Sequence, residues 1–186
     1  MAKIGLKNFK YSVLNDKDEV SEPKSLGKAI SCKVSIETNS AELYADDGLA
    51  ESDNTFQKGT VELEVDEDAD EVFAELLGHT ISKEAETTGE VIRKADDTAP
   101  YVAIGRILTK IVNGVRKYKV EFLAKVKFKE PSAEENTKGE SVEFATNTIE
   151  GSVLQLADGT WSKAKTFATY SEAETYLNGL LTKGSV

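Results

Sequence analysis

The chain has 186 residues, enough for one domain of ordinary size with a buried core. Its 23 Lys and Arg residues against 33 Asp and Glu residues give a formal charge of −10, which disfavours a general grip on nucleic-acid phosphates. A single cysteine excludes an internal disulfide framework and fits synthesis in a reducing compartment. We predict no signal peptide and no membrane anchor, because no apolar run approaches the ~20 residues of a membrane helix.

The first third of the chain is predicted to form strands joined by polar connections. Three segments have strand-like alternation of apolar and polar residues: Gly5–Leu14, Lys28–Thr38 and Thr60–Asp66. This alternation places four acidic residues opposite the apolar faces of their strands: Glu37, Glu62, Glu64 and Asp66. Asn39–Lys58 is predicted as a long loop that can include a short strand at Ala41–Ala45, and loops of this length are usually functional or disordered.

Two helices are predicted from their caps and apolar stripes. Asp68–Gly78 begins with an aspartate cap, has Glu71 three residues on, and ends in a glycine stop. Ser171–Leu181 repeats this pattern, and its first residue is expected to form a capping box with Glu174.

The stretch Tyr101–Lys129 predicts one long β-hairpin. Asn113 and Gly114 lie between its arms, and the favoured two-residue turn needs positive φ at both positions. That turn sets Val112 opposite Val115 and fixes every later pair. Three apolar residues at the tip are expected to lie beyond the reach of the domain body: Ile111, Val112 and Val115.

The predicted register gives the hairpin two different faces. One face carries apolar or small pairs, from Thr109–Tyr118 through Ala103–Ala124 to Tyr101–Val126, and is assigned to the core. The other face places Arg106 opposite Glu121, a favourable ion pair. This face also places Lys110 opposite Lys117. Like charges directly opposite each other are destabilising unless acidic residues lie nearby.

Together the elements predict a mainly β fold. With a further strand at Ser141–Leu156, they form a β-sandwich or barrel-like body carrying two helices, in one domain over residues 1–186. Charge is unevenly divided, because Ala41–Asp97 holds 18 acids against 4 bases whereas the hairpin holds 8 bases against 1 acid. These two segments can complement each other within one chain or between copies.

The sequence offers no focus for catalysis or metal binding. The only histidine, His79, follows a helix end and is expected to be structural or solvated, and Cys32 is expected to be a small core residue. One His and one Cys make neither a zinc site nor an oriented nucleophile–base pair. The run Asp66–Asp70 imitates the start of a calcium loop but lacks the later glycine and glutamate that such a loop requires. We therefore predict a protein that is not an enzyme and needs no cofactor.

Four segments, in order along nearly the whole chain, carry a family resemblance. They are AELYADDGLAE (Ala41–Glu51), DDTAPYVAIGR (Asp96–Arg106), TKGESVEFATNTIEGSV (Thr137–Val153) and the closing DGTW…FATYSEAETYL. These segments look like the major tail tube proteins of long-tailed bacteriophages of Gram-positive bacteria. The resemblance implies a β-sandwich tail-tube fold with a flanking helix, whose copies form stacked hexameric rings.

The resemblance also implies partners and a location. Inner sheets of all subunits would close into one barrel, through which double-stranded DNA passes without specific binding. The implied partners are further copies of the chain and other tail proteins, namely the tape measure, tail terminator and distal tail proteins. The implied location is the virion tail, after assembly in the cytoplasm of the host bacterium.

Three sets of residues are expected to serve this assembly. The hairpin is expected to pair with the next subunit through its tip: Ile111, Val112, Asn113, Gly114 and Val115. The long loop is expected to join successive rings: Tyr44, Asp46, Asp47, Leu49 and Phe56. The lumen is expected to be lined by carboxylates: Glu37, Glu62, Glu64 and Asp66. Four hairpin cations would share that lumen, neutralised by Glu62 or Glu64: Arg106, Lys110, Lys117 and Lys119.

Two other functions stay open. A monomeric adhesion or carbohydrate-binding β-sandwich would present clustered aromatic residues on loops. Here the only tryptophan, Trp161, follows a turn and is expected to be a packing anchor. A different phage tail component, such as a terminator or decoration protein, is the other alternative.

Overall fold

The structure is a computed structural model that describes residues 2–45, 48–65, 70–82, 90–131 and 147–182. This part of the chain is mainly β, as predicted, with one helix flanking the sheet and one near the C-terminus. The strands are β1 Ala2–Val13, β2 Lys24–Ser25, β3 Ala29–Ala45, β4 Gly48–Val65, β5 Thr80–Ser82, β6 Glu90–Ile92, β7 Tyr101–Val112, β8 Val115–Phe128, β9 Asn147–Leu154 and β10 Ser162–Phe167. The helices are α1 Asp70–Leu77 and α2 Tyr170–Thr182. Four residues singled out in the sequence lie outside the described residues: Asp46, Asp47, Asp66 and Asp68.

One antiparallel sheet contains most of these strands, in the order β2-β1-β7-β8-β9-β4-β3 with β10 attached to β8. The outer edge of β8 is shared, because β10 pairs with its residues 118–123 and β9 with its residues 125–128. β9 then continues into β4 and β3. The sheet therefore turns at β8, and its two halves enclose a core as in a β-sandwich.

This core joins both halves of the sheet. Phe9 and Tyr11 of β1 belong to the same buried cluster as the inward residues of β4, which are Val61, Leu63 and Val65. The three β4 side chains are at most 1% exposed, so the predicted apolar face of that strand is confirmed. Burying each large apolar side chain contributes about 1.5–3 kcal/mol, which makes this face the reason for the strand's orientation.

The β7–β8 hairpin is buried on both faces. Val102 and Ile104 join the core between the sheet halves, whereas Ile107 and Phe122, on the other face, form a second core with Leu177 of α2. The predicted core face is the one that α2 covers. Assigning only that face to the core is wrong, because the folded-over half of the sheet covers the other face as well.

The turn of the hairpin agrees with the sequence prediction. Asn113 and Gly114 have φ values of 51° and 77°, and Val112 pairs with Val115. The predicted register then continues as far as the pair of Ile104 with Leu123.

Beyond this pair, a bulge changes the register by one residue. Val102 pairs with Val126 and Tyr101 with Lys127, so the predicted pair of Tyr101 with Val126 is wrong, and Ala103 is not paired with Ala124. The bulge lies where the outer partner of β8 changes from β10 to β9. A bulge adds local twist, which is what a strand shared between two partners needs at that point.

The segment Asn39–Lys58, predicted as a long loop that can include a short strand at Ala41–Ala45, forms strands over its described residues, 39–45 and 48–58. β3 continues to Ala45, β4 begins at Gly48, and the two strands pair along their whole length. The predicted strand ends at Thr38 and Thr60 are therefore wrong as well. A pair of strands that extends past the core has no apolar face to bury, so the alternation that marks a strand is lost from its sequence.

Helix α2 begins earlier than predicted. Its capping box consists of Thr169 and Glu172, because the Glu172 backbone NH donates to Thr169 Oγ1 at 3.4 Å and the Thr169 NH donates to Glu172 Oε2 at 3.2 Å. The predicted box of Ser171 and Glu174 is wrong. Glu174 instead accepts a hydrogen bond from Asn8 Nδ2 at 3.0 Å, which ties α2 to β1.

The end of α1 is held by a buried histidine. Gly78, with φ of 80°, ends the helix as predicted. His79 is buried, with Nδ1 2.8 Å from Asp97 Oδ2 and Nε2 2.6 Å from Glu130 Oε1. Hydrogen bonds from the Lys94 backbone NH and from His79 hold the pKa of Asp97 below its usual range. The structural role expected for His79 is confirmed.

The contact between α2 and β7 gives a test of the two-sided burial. A Cβ added at Gly105 would lie 2.1 Å from Cδ1 of the fully buried Leu177. We expect Gly105→Ala to lower the free energy of unfolding by about 1–3 kcal/mol, the usual cost of overpacking. The matched change Gly179→Ala, at a position of α2 where a Cβ meets no atom within 4 Å, should instead raise it by about 0.5–1 kcal/mol. Urea denaturation measures both, and equal stabilities for the two variants would contradict the packing described.

Candidate functional site

A two-stranded ribbon projects from the sheet and is formed by residues 38–45 of β3 and 48–56 of β4. β9 pairs with β4 only between Gly59 and Val65, and past Gly59 the described residues give β3 and β4 no strand partner except each other. The eight pairs from Thr38–Phe56 to Ala45–Gly48 extend the ribbon by roughly 25 Å at ~3.3 Å per residue. As far as the described residues show, both edges of the ribbon are open to a further strand.

The residues predicted for ring-to-ring contact are spread along this ribbon. Tyr44 and Leu49 pair with each other near its end, whereas Phe56 lies at its base. The other two predicted residues, Asp46 and Asp47, lie outside the described residues. Between residues 38 and 56 the sequence has five acids and no base, so the ribbon is strongly acidic.

A bulge and an aromatic stack lie at the base of the ribbon. Glu37 pairs with Lys58 and Thr38 with Phe56, so Gln57 has no opposite residue. The Phe56 ring stacks on Trp161, with ring centroids 4.9 Å apart and planes 7° apart. Trp161 also packs against the main core, so the predicted anchor role is confirmed.

The tip of the β7–β8 hairpin is exposed. Ile111 is 38% and Val115 60% exposed. β1 pairs with β7 as far as Ile111, and β10 ends opposite Tyr118. In the described part of the chain, residues 115–117 of β8 therefore have β7 as their only strand partner. Most of the hairpin already has partners in its own chain, and only the tip is left for a neighbour. All five residues predicted for contact between subunits lie there: Ile111, Val112, Asn113, Gly114 and Val115.

Cations surround this apolar tip. Lys110 and Lys117 are paired across the two strands, as predicted, and Arg116 is opposite Ile111. The described residues give these three cations no acidic partner. Like charges directly opposite each other are destabilising, so the tip favours an acidic neighbour.

Three of the four predicted lumen acids lie on one polar face of the sheet. Each has a partner on the adjacent strand: Glu37 with Lys58 at 3.2 Å, Glu62 with Lys33 at 3.3 Å, and Glu64 with the Ser31 hydroxyl at 2.9 Å. The fourth, Asp66, lies outside the described residues. Lys33, not a hairpin lysine, neutralises Glu62, and this polar face is closer to neutral than the sequence suggested.

Two hairpin cations expected on that face lie elsewhere. Arg106 is only 8% exposed, and its Nη2 lies 2.6 Å from Glu121 Oε2, which confirms the predicted ion pair. Arg106 Nη1 also contacts Cys32 Sγ on the apolar face of β3, and Lys119 Nζ lies 2.5 Å from Glu121 Oε1. Arg106 and Lys119 thus pair with Glu121 and not with Glu62 or Glu64 as predicted, because the folded-over half of the sheet covers this face of the hairpin.

The carboxylate of this cluster, Glu121, is half-buried. Burial raises the pKa of Glu121, but hydrogen bonds from Lys119 and Arg106 outweigh burial and hold that pKa below its usual range. The cluster thus satisfies its own charges inside the fold. It offers no free acid or base for chemistry.

A cavity of about 490 Å³ lies beside α1. Its wall includes Glu75. The Glu75 carboxylate accepts a hydrogen bond from Tyr11 Oη at 2.6 Å and forms an ion pair with Lys24 Nζ at 2.5 Å. Burial raises the pKa of Tyr11, and the neighbouring carboxylate raises it further. The Glu75 carboxylate is thus already paired with two side chains of its own chain, Tyr11 and Lys24. Among the described residues, no group of three or more His, Cys, Asp or Glu side chains is arranged to hold a metal ion.

Comparisons with known proteins add no assignment. No protein-family model matches the chain, and a search of curated proteins gave no match. No helix within the described ranges is long and apolar enough to cross a membrane.

The sequence interpretation missed the ribbon and its partners. The Asp47–Gly48 dipeptide is a sequence signal for a hairpin, but the pairing of Ala45 with Gly48 places Gly48 in β4 rather than in the turn. The pairing of β3 with β4 brings the alternating acids and lysines of the two strands together. The stack of Phe56 on Trp161 joins residues far apart in sequence, and no local pattern predicts it.

The like-charge pair at the tip gives a prediction about stability. Replacing Lys117 by Glu places a carboxylate opposite Lys110, and opposite-charge pairs across strands contribute about 0.2–1 kcal/mol. The control Arg116→Glu changes net charge equally but faces Ile111. Thermal or urea unfolding should rank Lys117→Glu above Arg116→Glu, and the difference should shrink in high salt. The reverse order would contradict the strand pairing at the tip.

Proposed function

We propose that this chain is a structural subunit of a bacteriophage tail tube. Copies associate into hexameric rings, the rings stack into a tube, and DNA passes through the channel. The resemblance of segments such as Ala41–Glu51 and Asp96–Arg106 supports this family.

The observation that carries the proposal is the ribbon. It extends roughly 25 Å past the last pair with β9 and carries two open edges. Phe56 anchors the base of this arm on Trp161, and the exposed strand edges beyond it are a hazard unless a partner uses them. A subunit that adds its arm to a neighbour has such a use for it.

Charge supports contact between copies. The ribbon strands hold three acids and no base (Glu42, Glu51 and Asp53), whereas the hairpin tip has three cations without acidic partners among the described residues. Ribbon and tip are therefore complementary, and the exposed Ile111 and Val115 provide the apolar centre of the contact.

The polar face of β3 and β4 suits a channel wall. Glu37 and Glu62 are paired with lysines, so the face presents little net charge to DNA. A wall rich in unpaired Lys and Arg would bind phosphates by releasing counterions and would hold the DNA. A near-neutral or acidic wall lets it pass.

A concentration series by light scattering, followed by negative-stain imaging, tests the function. A tube subunit forms rings or tubes as concentration rises. A carbohydrate-binding or adhesion module stays monomeric, and this result would overturn the proposal. If this chain forms isolated rings but no tubes, as expected of a tail terminator, that result would also count against the proposed function.

The hairpin tip gives the first variant. Val112→Asp with Val115→Asp should abolish assembly and leave a folded monomer, because burying two carboxylates at an interface costs several kcal/mol whereas in the monomer they lie in water. The matched control, Val112→Thr with Val115→Thr, keeps the branched shape without charge and should still assemble. Scattering and circular dichroism measure the two effects. Tubes of normal length from the Asp variant would exclude the tip from the interface.

The ribbon gives the second variant. Ser40 pairs with Asn54, so replacing residues 41–53 by Asn-Gly closes a tight hairpin at that pair and leaves the sheet intact. We expect this protein to form rings that no longer stack, visible as single discs by negative stain. An equally long ribbon in which the acids are replaced by Asn or Gln serves as a control for charge. Stacked tubes from the shortened protein would show that the ribbon does not join rings.

A further inference from the structure

The bulge and the aromatic stack at the ribbon base are linked by strand geometry. Residues opposite each other on paired strands project from the same face. In a regular strand, Phe56 would share the polar face of Lys58 and Thr60. Because Gln57 is inserted, Phe56 is opposite Thr38, which shares its face with Ile36 and the apolar side of β3. The bulge therefore turns Phe56 towards Trp161.

Trp161 is a fixed point of the body. Its backbone carbonyl accepts a hydrogen bond from the Ala124 NH of β8 at 2.9 Å, and its side chain packs against the main core. The turn before it is closed by a hydrogen bond from the Leu156 NH to the Thr160 carbonyl at 2.9 Å. Stacking on Trp161 thus connects the ribbon to a rigid part of the sheet.

We propose that Phe56 is a positioning residue. Its stack on Trp161 and the bulge at Gln57 form a latch that holds the ribbon in one direction, ready to engage a second copy of this chain. The engagement, but not the latch, rests on the proposed function. A two-stranded hairpin alone is at best marginally stable, so an unlatched ribbon must become ordered on contact, and this weakens association.

The latch is tested in the monomer, below the concentration of assembly. Trp161 is the only tryptophan, so acrylamide quenching of its fluorescence reports the stack. We compare the native chain with Phe56→Ser, Phe56→Tyr and an insertion of one Thr between Glu37 and Thr38, each checked for folding by circular dichroism. Quenching should rise in Phe56→Ser and remain native in Phe56→Tyr. It should also rise in the insertion, because the added residue pairs with Gln57, removes the bulge and turns the unchanged Phe56 ring to the other face. Native quenching in Phe56→Ser or in the insertion would overturn the latch.

The role in self-association is tested separately. Losing an aromatic pair should raise the concentration at which light scattering appears by roughly 2- to 10-fold in Phe56→Ser, and Phe56→Tyr should restore it. Raised quenching with native assembly overturns the positioning role while leaving the latch in place. If the native chain never assembles, the proposed function fails and the quenching result still decides whether the latch exists.

Discussion

The fold depends on one constraint, which is that the β7–β8 hairpin must be covered on both faces. Residues 102–109 of β7 are all buried, and each large apolar side chain contributes about 1.5–3 kcal/mol when removed from water. No single element can cover both faces. The chain meets this requirement with α2 on one side and the folded-over strands β3, β4 and β9 on the other. Gly105 is small enough to let Leu177 of α2 approach the strand directly.

Because both faces of the hairpin are covered, charged side chains in its covered part must be paired inside the fold. Arg106 lies on a face that the sheet closes over, so its guanidinium must find partners inside. Glu121 supplies one, and Lys119 balances the second carboxylate oxygen. Removing Glu121 leaves the buried Arg106 guanidinium without its carboxylate partner, and breaking such a buried pair usually costs about 3–5 kcal/mol. The cluster therefore limits how the hairpin can be substituted, although it performs no chemistry.

Alternation in sequence reports a contrast between two environments, and this explains which predictions are confirmed. On β4 one face is buried and the other polar, so Val61, Leu63 and Val65 were assigned correctly. On β7 both faces are buried, so polar residues such as Arg106 suggested an exposed face that does not exist. The ribbon sequence lacks this alternation, so its strands were interpreted as a loop. The turn at Asn113–Gly114 was predictable because it depends on local backbone φ alone, whereas the later bulge depends on the partners of β8.

The distribution of charge favours one type of contact between copies over the others. Two acidic ribbons repel each other, and so do two basic hairpin tips, so symmetric contacts through either element are disfavoured. A ribbon against a tip is attractive, but such a contact joins different surfaces of the two chains. Heterologous contacts leave one ribbon and one tip free after each addition, and they continue until a ring closes or a filament grows. Under the proposed function, the same acids that keep the ribbon edges from pairing with one another would direct the chain towards polymers.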